Sequence, residues 1–351
     1  MPSPASIKDV AQAAGVSIGT VSNVLNRPDM VSEARRRRVL QAIEDLGYVR
    51  NDAARQLKAG RSLTVGLIVQ DSGNPYYHQL AQGAEEGAEA LGQAVIVGSA
   101  GYTPEREQLY LDLFEQQRVR GVLLTPQTAD HTRTDALRER NIPVVLVDEH
   151  APPGDYCSLA VDDVEGGRMA AEHLLAQGAR SIAFVGGPNT LHQIVNRRAG
   201  AQTAVDAVQG ASLESFNTAA LSILEGRRIG EIIRERPRKH LPDAVFAAND
   251  LLALGLLQAF VFGNHLRVPQ DILLIGYDDI DYAASAVVAL SSVHQPSKLI
   301  GRTAVDLLED EITDPGHRHR HVSFPPELVI RDSTTQSLPA TLTSRTGPNR
   351  P

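Results

Sequence analysis

A repeated alternation of short apolar runs with amphipathic stretches constrains this chain more than any other feature of its sequence. From residue 63 the runs LTVGLIV, AVIVGS, GVLLT and PVVLVD are separated by stretches of helical spacing at 77–91, 104–117 and 130–140. Continuous apolar runs are typical of parallel strands that are buried on both faces and connected by helices. The alternation therefore predicts a doubly wound α/β core.

The same pattern then occurs a second time along the chain. The runs CSLAVD, SIAFVGG, LSIL, AVFAAND and ILLIGYDD are separated by helical stretches at 165–177, 197–209, 226–236 and 251–263. Two series predict two similar subdomains, each with a parallel sheet. Ligands in such folds bind at the carboxyl ends of the strands. The ends QDSGNP, VDEH, VGGPN, AAND and GYDD are rich in Asp, Asn and Gly, so they predict a polar binding site.

The first 47 residues have a different character and predict three short helices. Each helix begins at or just after a serine that can cap it, and the first and third end at a glycine. The predicted spans are 7–14, 17–25 and 32–46. The predicted inward faces consist of Ile7, Val10, Ala11, Ala14, Val21, Val24, Leu25, Val39, Leu40, Ile43 and Leu46. Three such helices, with a tight glycine turn between the first two, predict a helix-turn-helix unit.

The net charge of −8 conceals an asymmetry between this head and the rest of the chain. Residues 1–61 carry 10 Lys and Arg against 6 Asp and Glu, a net of +4, which leaves 24 − 36 = −12 for the remainder. A basic head on an acidic body favours a polyanionic partner for the head. Charge alone leaves open a solvated basic helix, since Arg35 to Arg38 supply much of the excess.

Composition excludes several other classes of protein. A chain of 351 residues with 42% hydrophobic residues predicts two or three domains with packed cores. The single cysteine, Cys157, cannot form an intramolecular disulfide, which fits a reducing cytosol. There is no apolar run of 18 residues, and the first 20 residues lack the apolar region of a secretory signal. We therefore expect a cytoplasmic protein without a membrane partner.

At this point the chain resembles the LacI/GalR (lactose/galactose repressor) family of transcriptional regulators along nearly all of its length. The resemblance is carried by the head and hinge, SIKDVAQAAGVSIGTVSNVLNRPDMVSEARRRRVLQAIEDLGYVRNDAARQLKAG, and by core segments that include VGLIVQDSGNPYY, FAANDLLALG and RVPQDILLIGYDDI. It implies a bacterial, sequence-specific regulator that binds double-stranded operator DNA and a small-molecule effector, and that acts as a homodimer. It implies no catalytic residues, no cofactor and no metal.

The resemblance also implies a domain organisation. The expected parts are a DNA-binding head at 1–49, a hinge at 50–61 and an effector-binding, dimerising core at 62–335 that resembles periplasmic binding proteins. Within the core we expect one subdomain from 62–161 and 293–322, and another from 162–292 and 323–335. We expect a disordered tail at 336–351, which is rich in Ser, Thr and Pro and lacks leucine heptads, so the dimer is not expected to form tetramers.

Two sets of DNA-binding residues follow from the resemblance. The second helix of a helix-turn-helix unit enters the major groove, and the hinge of this family wedges a leucine into the minor groove. The head positions are Ser17, Ile18, Gly19, Thr20, Ser22 and Asn23, and the hinge positions are Asn51, Arg55, Leu57 and Lys58. Alternatives remain: Ile18 packs inside the head, Asn23 holds a phosphate rather than a base, and Leu57 packs against the partner hinge.

The effector-binding positions that the resemblance implies are Asp71, Tyr76, Tyr77, Asp148, Arg197, Asn249, Asp278 and Gln295. Carboxylates and amides around an apolar cleft suit a polyol ring. We expect Arg197 to bond bidentately to ring hydroxyls and Asp278 to accept from two of them. Asp71 and Asp148 could instead cap strand ends. The chain has no Trp, so the stacking platform would be Tyr76 or absent, and pentose, hexose and nucleoside all remain open.

Other functional hypotheses have specific weaknesses. A repressor that a sugar releases is the first hypothesis, and a regulator that needs a nucleoside-like or purine-like corepressor is the alternative. A transport solute-binding protein requires an export signal, and a sugar-processing enzyme requires a nucleophile that the GYDD and AAND pairs do not supply. The HRHRH segment at 317–321 could bind a metal, but no Cys or carboxylate partner is evident nearby, so a solvated loop is expected.

Overall fold

The structure, a computed structural model, describes residues 5–48, 62–128, 130–149, 154–262 and 266–335. The chain divides into two compact units, one from the start to Ser62 and the other from Leu63 onward. No helix among the described residues is long and apolar enough to cross a membrane.

Residues 5–48 of the first unit form a bundle of three helices, as predicted. Its helices are α1 (Ile7–Ala14), α2 (Ile18–Asn26) and α3 (Glu33–Leu46), with a 3₁₀ turn at Pro28–Met30 between the last two. A capping box between Ser6 and Asp9 starts α1, and Gly15 ends it with a φ of 62°, a left-handed conformation that glycine adopts without steric cost. The turn between α1 and α2 is therefore encoded locally.

The core of this unit differs from the prediction on one face of α3. Val10, Val21, Val39 and Ala42 are buried, and Ile43 packs against them. Leu40 and Leu46, predicted to point inward, are 45% and 39% exposed. The inward face of α3 follows the i, i+3, i+4 spacing from Val39, which rotates Leu40 away, and Leu46 is the last residue of the helix.

The second unit begins with a six-stranded parallel sheet. Its first strands are β1 (Thr64–Val69), β2 (Ala94–Ser99), β3 (Gly121–Leu124), β4 (Val144–Val147) and β5 (Cys157–Val161). The helices between them are α4 (Pro75–Ala90), α5 (Pro104–Gln116) and α6 (Thr132–Glu139). The last strand, β11 (His321–Phe324), comes from much later in the chain, and the strand order is β11-β5-β4-β3-β1-β2. The predicted alternation is confirmed here.

A four-stranded parallel sheet follows. It contains β6 (Ser181–Gly186), β7 (Ser212–Asn217), β8 (Ala244–Ala247) and β9 (Leu273–Ile275), in the order β7-β6-β8-β9. The accompanying helices are α7 (Asp163–Ala176), α8 (His192–Asp206), α9 (Ile223–Arg234) and α10 (Asp250–Val261). The prediction of a strand at LSIL is wrong: Ser222 caps α9 there, and the strand lies earlier, in SLESFN. Because β7 is an edge strand, its residues are half-exposed and carry little apolar signal.

The remaining elements return the chain to the first sheet. They are α11 (Asp281–Ala284), β10 (Ser292–His294), α12 (Ser297–Thr313), β11 (His321–Phe324) and β12 (Glu327–Val329), and a 3₁₀ turn lies at Asp332–Thr334. β10 and β12 pair antiparallel, and β11 joins the first sheet beside β5. β11 continues to Phe324, so the first sheet extends past residue 322. His317 and His319 are half-buried, so the expected solvated loop at 317–321 is wrong for those two residues.

Three pairs of helices cross at paired glycines. The pairs are α4 with α12 at Gly83 and Gly301, α7 with α8 at Gly167 and Gly200, and α9 with α10 at Gly226 and Gly255. At each of these glycines an added Cβ would lie 1.9–2.2 Å from a carbonyl oxygen of the neighbouring helix. The helices therefore pack backbone against backbone, which leaves no room for any side chain at the crossing.

The apolar stripes of α4 and α10 are used inside the chain. α4 packs its buried face against α12, and α10 packs against α9. The exposed positions of α4 include His78, Gln82 and Glu85. Intrachain packing therefore buries both stripes.

The α4–α12 crossing generates a prediction with a matched control in the same helix. Gly83→Ala would bring a Cβ to 2.0 Å from the Lys298 carbonyl oxygen, whereas Gly87→Ala meets its nearest neighbour, the Val305 Cβ, at 3.4 Å. We expect Gly83→Ala to lower the free energy of unfolding by about 1–3 kcal/mol or more. Gly87→Ala should change the free energy of unfolding little, because the higher helix propensity of alanine, worth about 1 kcal/mol, offsets the contact with Val305. Urea unfolding of both variants measures the difference, and equal effects would contradict the close crossing.

Candidate functional site

The exposed end of α2 in the first unit carries the predicted DNA-facing residues. Ser17 caps the helix: its Oγ accepts from the Thr20 amide at 3.1 Å and lies 3.0 Å from the Thr20 hydroxyl. Ile18 is 45% exposed, and Gly19 and Asn23 are exposed as well. The exposure of Ile18 argues against the alternative that it packs the head, and leaves an apolar side chain beside the polar Asn23.

Two further predicted positions of the head, Thr20 and Ser22, are half-buried. Asn26 donates from Nδ2 to the Ser22 carbonyl at 2.8 Å and to its hydroxyl at 3.3 Å. The predicted hinge contacts Asn51, Arg55, Leu57 and Lys58 lie outside the described residues. Their contact with DNA stays a prediction from the resemblance.

A buried charge cluster lies in the second unit, where strands of both sheets end. Arg197 on α8 is 5% exposed, and its Nε donates to Asp163 Oδ1 at 2.7 Å. Its Nη1 donates to the Ala248 carbonyl at 2.7 Å and lies 3.7 Å from Asp278 Oδ1. Burial disfavours the charged guanidinium, but its neighbours Asp163, Tyr277 and Asp278 raise the pKa of Arg197 above its ordinary value. Arg197 therefore stays charged.

Asp278 is the second element of this cluster. Gln295 Nε2 donates to its Oδ1 at 2.7 Å, and Asn74 Nδ2 donates to its Oδ2 at 3.3 Å. The Asp278 backbone has a φ of 104°, a conformation that L-residues rarely adopt and that often marks functional positions. Burial raises the pKa of its carboxyl to about 6, against the opposing effect of Arg197. We call Arg197, Asp163, Asp278, Asn74 and Gln295 the Arg197 cluster.

Tyr76 and Asp148 form a second polar pair next to the cluster. The Tyr76 hydroxyl donates to Asp148 Oδ1 at 2.6 Å. Burial raises the pKa of Asp148 to about 7, and the charge of Asp163 adds to that rise, whereas the hydrogen bond from Tyr76 lowers it. At neutral pH this carboxyl can therefore donate or accept a hydrogen bond.

A chain of hydrogen bonds joins Tyr77 to the same region. The Tyr77 hydroxyl donates to Gln70 Oε1 at 2.9 Å, and Gln193 Nε2 donates to the same oxygen at 2.8 Å. Gln70 follows β1 of the first sheet, and Gln193 lies at the start of α8. The hydrogen bond between Gln193 and Gln70 therefore joins a strand end of the first sheet to a helix that accompanies the second sheet.

The other two predicted effector residues are engaged in local caps. Asp71 Oδ1 accepts from the Gly73 amide at 2.8 Å, in keeping with the alternative that it caps a strand end. Asn249 is fully buried, and its Oδ1 caps α10 by accepting from the Leu252 amide at 3.0 Å. Asp250, the acid of the AAND motif, accepts from the Ser292 hydroxyl at 2.8 Å and from the Ile280 amide at 2.9 Å. These bonds give Asp250 a structural role.

Several site residues were not anticipated from the sequence: Asp163, Tyr277, Asn74, Gln70 and Gln193. The pattern of polar strand ends, applied to CSLAVDD, would have pointed to Asp163. Tyr277 lies under Arg197, whose Cζ is 3.6 Å from the ring centroid, and GYDD contains this tyrosine beside the predicted Asp278. Gln70 and Asn74 flank the predicted Asp71 within QDSGN. Gln193 carries no such signal.

A small cavity opens beside these groups. It has a volume of about 220 Å³ and is lined by Asp148, Glu149, Asp163, His192, Gln193, Val195 and Asn196. The volume is below the roughly 300–1,000 Å³ typical of sites for drug-sized ligands. Its walls offer three carboxylates, two amides and an imidazole, so the site suits a compact ligand with several hydroxyl or ring N–H groups.

Comparisons with known proteins agree with both units. Residues 6–51 match the family described as bacterial regulatory proteins, lacI family, and residues 171–334 match the periplasmic binding protein-like domain. The repressor PurR of Photobacterium profundum is 32% identical to this chain, over 94% of it and 98% of the relative. The PurR repressor of Erwinia tasmaniensis is 34% identical, over 94% of this chain and 96% of the relative.

Solved structures resemble the whole chain as well. The lac repressor dimer bound to operator and the anti-inducer ONPF is 28% identical, covers 95% of this chain and 100% of that one, and has a TM-score of 0.79. The complex of the transcriptional regulator CelR with cellobiose is 30% identical, covers 94% of this chain and 99% of that one, and has a TM-score of 0.68.

The raised pKa of Asp148 generates a prediction about stability. Below about pH 4 the carboxyl is protonated in both states; between about pH 4 and 7 only the unfolded state ionises, so unfolding is favoured as the pH rises. Asp148→Asn removes this dependence and keeps an oxygen that can accept from Tyr76. The wild type should therefore lose stability relative to the Asp148→Asn variant as the pH rises from 4 to 7. The difference in free energy of unfolding, variant minus wild type, should rise by up to about 1.4 kcal/mol per pH unit and then level off.

Urea unfolding at pH 5, 6, 7 and 8 measures that difference. Asp155→Asn, which changes an exposed carboxyl outside this region, is the control. If the effect of Asp148→Asn were the same at all four pH values, the raised pKa would be excluded.

Proposed function

We propose that this chain, a DNA-binding transcriptional repressor of the LacI family of bacterial regulatory proteins, is released from a palindromic operator by a small sugar-like effector. The effector binds at the Arg197 cluster, and the regulated genes are carbohydrate-related. Because the family consists of regulatory proteins, we propose no enzymatic role. Its place of action is the cytoplasm.

The observation that carries the proposal is the buried set of carboxylates and amides where strands of both sheets end. Asp278 is 6% exposed and is held by two side-chain amides, with Arg197 at 3.7 Å. A hydroxyl-rich ring can replace these internal bonds one for one, because each hydroxyl both donates and accepts. A ligand without such groups would leave a buried carboxylate unpaired, at a cost of about 1–3 kcal/mol or more.

The structural neighbour that binds cellobiose supports a sugar as the effector. The polar groups of the Arg197 cluster and of the Tyr76–Asp148 pair supply both acceptors and donors for ring hydroxyls. Two of the five N–H donors of Arg197 bond to Asp163 and to a carbonyl, which leaves three for a bidentate contact with the ligand. Arg197 and Asp278 are therefore both candidates for ligand contacts.

A second candidate is a corepressor-dependent regulator with a nucleoside-like or purine-like ligand. The observation that favours it is that the two relatives described above, at 32% and 34% identity over nearly the whole chain, carry the name PurR. The two candidates differ in the sign of the response: a sugar inducer weakens operator binding, whereas a corepressor strengthens it.

Operator recognition is assigned to α2 of the first unit and to the hinge. Ile18, Gly19 and Asn23 read base edges in the major groove, while Ser17, Thr20 and Ser22 position the helix on the backbone. In the hinge, Leu57 wedges into the minor groove, and Asn51, Arg55 and Lys58 contact the sugar-phosphate backbone. A homodimer is needed because one helix reads only a half-site, and a two-fold dimer matches a palindrome.

Base reading by Asn23 can be tested with an operator selected in vitro from randomised duplexes. Asn23→Ala should alter the preference at one base position, at about 1–3 kcal/mol for the lost contact. Gln41→Ala, which changes an exposed polar residue on α3, is the control. Binding of substituted operators by fluorescence anisotropy measures the preference. A uniform loss for every sequence would identify Asn23 as a phosphate contact instead.

The effector is tested by measuring affinity for the same operator against a panel of monosaccharides, disaccharides, nucleosides and purine bases. We expect one sugar-like compound to weaken operator binding, and saturating operator to weaken binding of that compound by the same factor, typically about 5–150-fold. Strengthening by a nucleoside or a purine would establish the second candidate. Equal affinity for the active compound with and without operator would exclude coupling between the two sites.

Asp278→Asn is the variant that links this response to the Arg197 cluster. It keeps a side chain that tolerates positive φ and avoids the buried unpaired charge that Arg197→Ala would leave at Asp163. We expect it to lose most of the response and to bind operator normally. Asp206→Asn, at the exposed end of α8, is the control. An unchanged response in Asp278→Asn would move the effector site elsewhere.

A further inference from the structure

Four side chains that can bind a metal converge at one end of the first sheet. Cys157 is the first residue of β5, His317 and His319 immediately precede β11, and Glu311 lies near the end of α12. One ligand atom from each of the four lies within 4.8 Å of all the others. The cluster lies where β5 and β11 begin, whereas the Arg197 cluster lies where strands end, so the effector site does not account for it.

The spacing of the four groups approaches that of a tetrahedral metal site. Bond lengths of about 2.0–2.3 Å from zinc to N, O and S place neighbouring ligand atoms roughly 3.3–3.8 Å apart. Cys157 Sγ lies 3.1 Å from His317 Nε2, and His319 Nδ1 lies 3.7 Å from Glu311 Oε2. Small side-chain movements therefore suffice to enclose an ion.

Two of these atoms also lack the hydrogen bonds that buried polar atoms normally make. Glu311 Oε2 and His319 Nδ1 are buried, and neither has a hydrogen-bond partner among the described residues. Such atoms are uncommon in folded proteins, and an ion is one of the accepted explanations for them. They face each other across the cluster, so one ion would satisfy both.

One neighbouring cation has to be accommodated. Arg138 donates from Nη2 to His319 Nε2 at 3.0 Å. Coordination through Nδ1 moves the ring proton to Nε2, which can then no longer accept from Arg138. The guanidinium already lies 3.8 Å from Asp135 and 4.5 Å from the centroid of the Tyr156 ring. Arg138 therefore keeps partners when it leaves His319.

From this geometry we infer that Cys157, His317, His319 and Glu311 form a binding site for one borderline-soft divalent cation of the zinc class. A thiolate and two imidazoles select zinc or cobalt over magnesium and calcium, which prefer oxygen ligands. The site has no open position for a substrate, which is typical of a structural metal. The ion ties β11 and the end of α12 to β5. The Cys157 thiol loses its proton on binding.

The test titrates Co²⁺, and then competing Zn²⁺, into the untagged full-length protein after chelation and removal of the chelator. We expect one Co²⁺ per chain, with a thiolate-to-cobalt charge-transfer band and the visible absorption of a tetrahedral site. Zn²⁺ should displace the Co²⁺ and remove both signals. Mg²⁺ at the same concentration should have no effect.

Variants separate this site from adventitious binding to histidines. Cys157→Ser should abolish the charge-transfer band. Both Cys157→Ser and His319→Ala should weaken Co²⁺ binding by more than 100-fold, because even residues that only hydrogen-bond to metal ligands contribute about 10–100-fold to metal affinity. His321→Ala is the matched control: this histidine belongs to the same HRHRH segment, but its Nδ1 lies 2.8 Å from the Ser158 hydroxyl. It should bind Co²⁺ as the wild type does.

Three results would overturn the inference. The first is the absence of Co²⁺ binding by the wild type, with circular dichroism showing the protein folded. The second is Co²⁺ binding without a charge-transfer band. The third is equal affinity in Cys157→Ser and the wild type, which would mean that surface histidines alone hold the ion.

Discussion

The pairing of one buried guanidinium with two buried carboxylates is the interaction on which the ligand side of the core depends. Asp163 follows β5 of the first sheet, Asp278 follows β9 of the second, and Arg197 on α8 meets both. Breaking a buried ion pair by removing one partner typically costs about 3–5 kcal/mol, because it leaves an uncompensated charge. The opposite charges of Arg197, Asp163 and Asp278 therefore hold the polar edges of the two sheets together, and removing any one of these charges would leave another unpaired.

Glycines determine how closely these charged side chains can approach one another, because they let the helices that carry them pack backbone against backbone. At Gly167 and Gly200 the backbones of α7 and α8 come into contact, which brings Arg197 to Asp163. Gly166 leaves room for the Tyr277 hydroxyl, which would lie 2.2 Å from a Cβ at that position, and Tyr277 in turn supports the guanidinium. The geometry of the site thus depends on glycines, whose lack of a side chain permits these close approaches.

The core has two halves, one around each sheet, and hydrogen bonds between the halves are contacts that the proposed effector could change. Asn74 reaches Asp278, Gln193 reaches Gln70, and His192 Nδ1 lies 2.9 Å from Glu149 Oε1. A ligand that bonds to Asp278 competes with Asn74, which belongs to the first sheet. Such a ligand would change the bonds that join the halves and so would favour one arrangement of the two sheets over another.

The sequence by itself determined the alternation of strands and helices, the three-helix head and most polar strand ends, because periodicity and capping are local properties of the chain. It did not locate β7, whose residues carry little apolar signal at the edge of a sheet, and it misplaced Leu40 and Leu46, since an inward face depends on what packs against it. Only the tertiary structure decided that Asp163 balances Arg197. The meeting of Cys157 and His317, 160 residues apart, also rests on β11 pairing with β5, which no local pattern encodes.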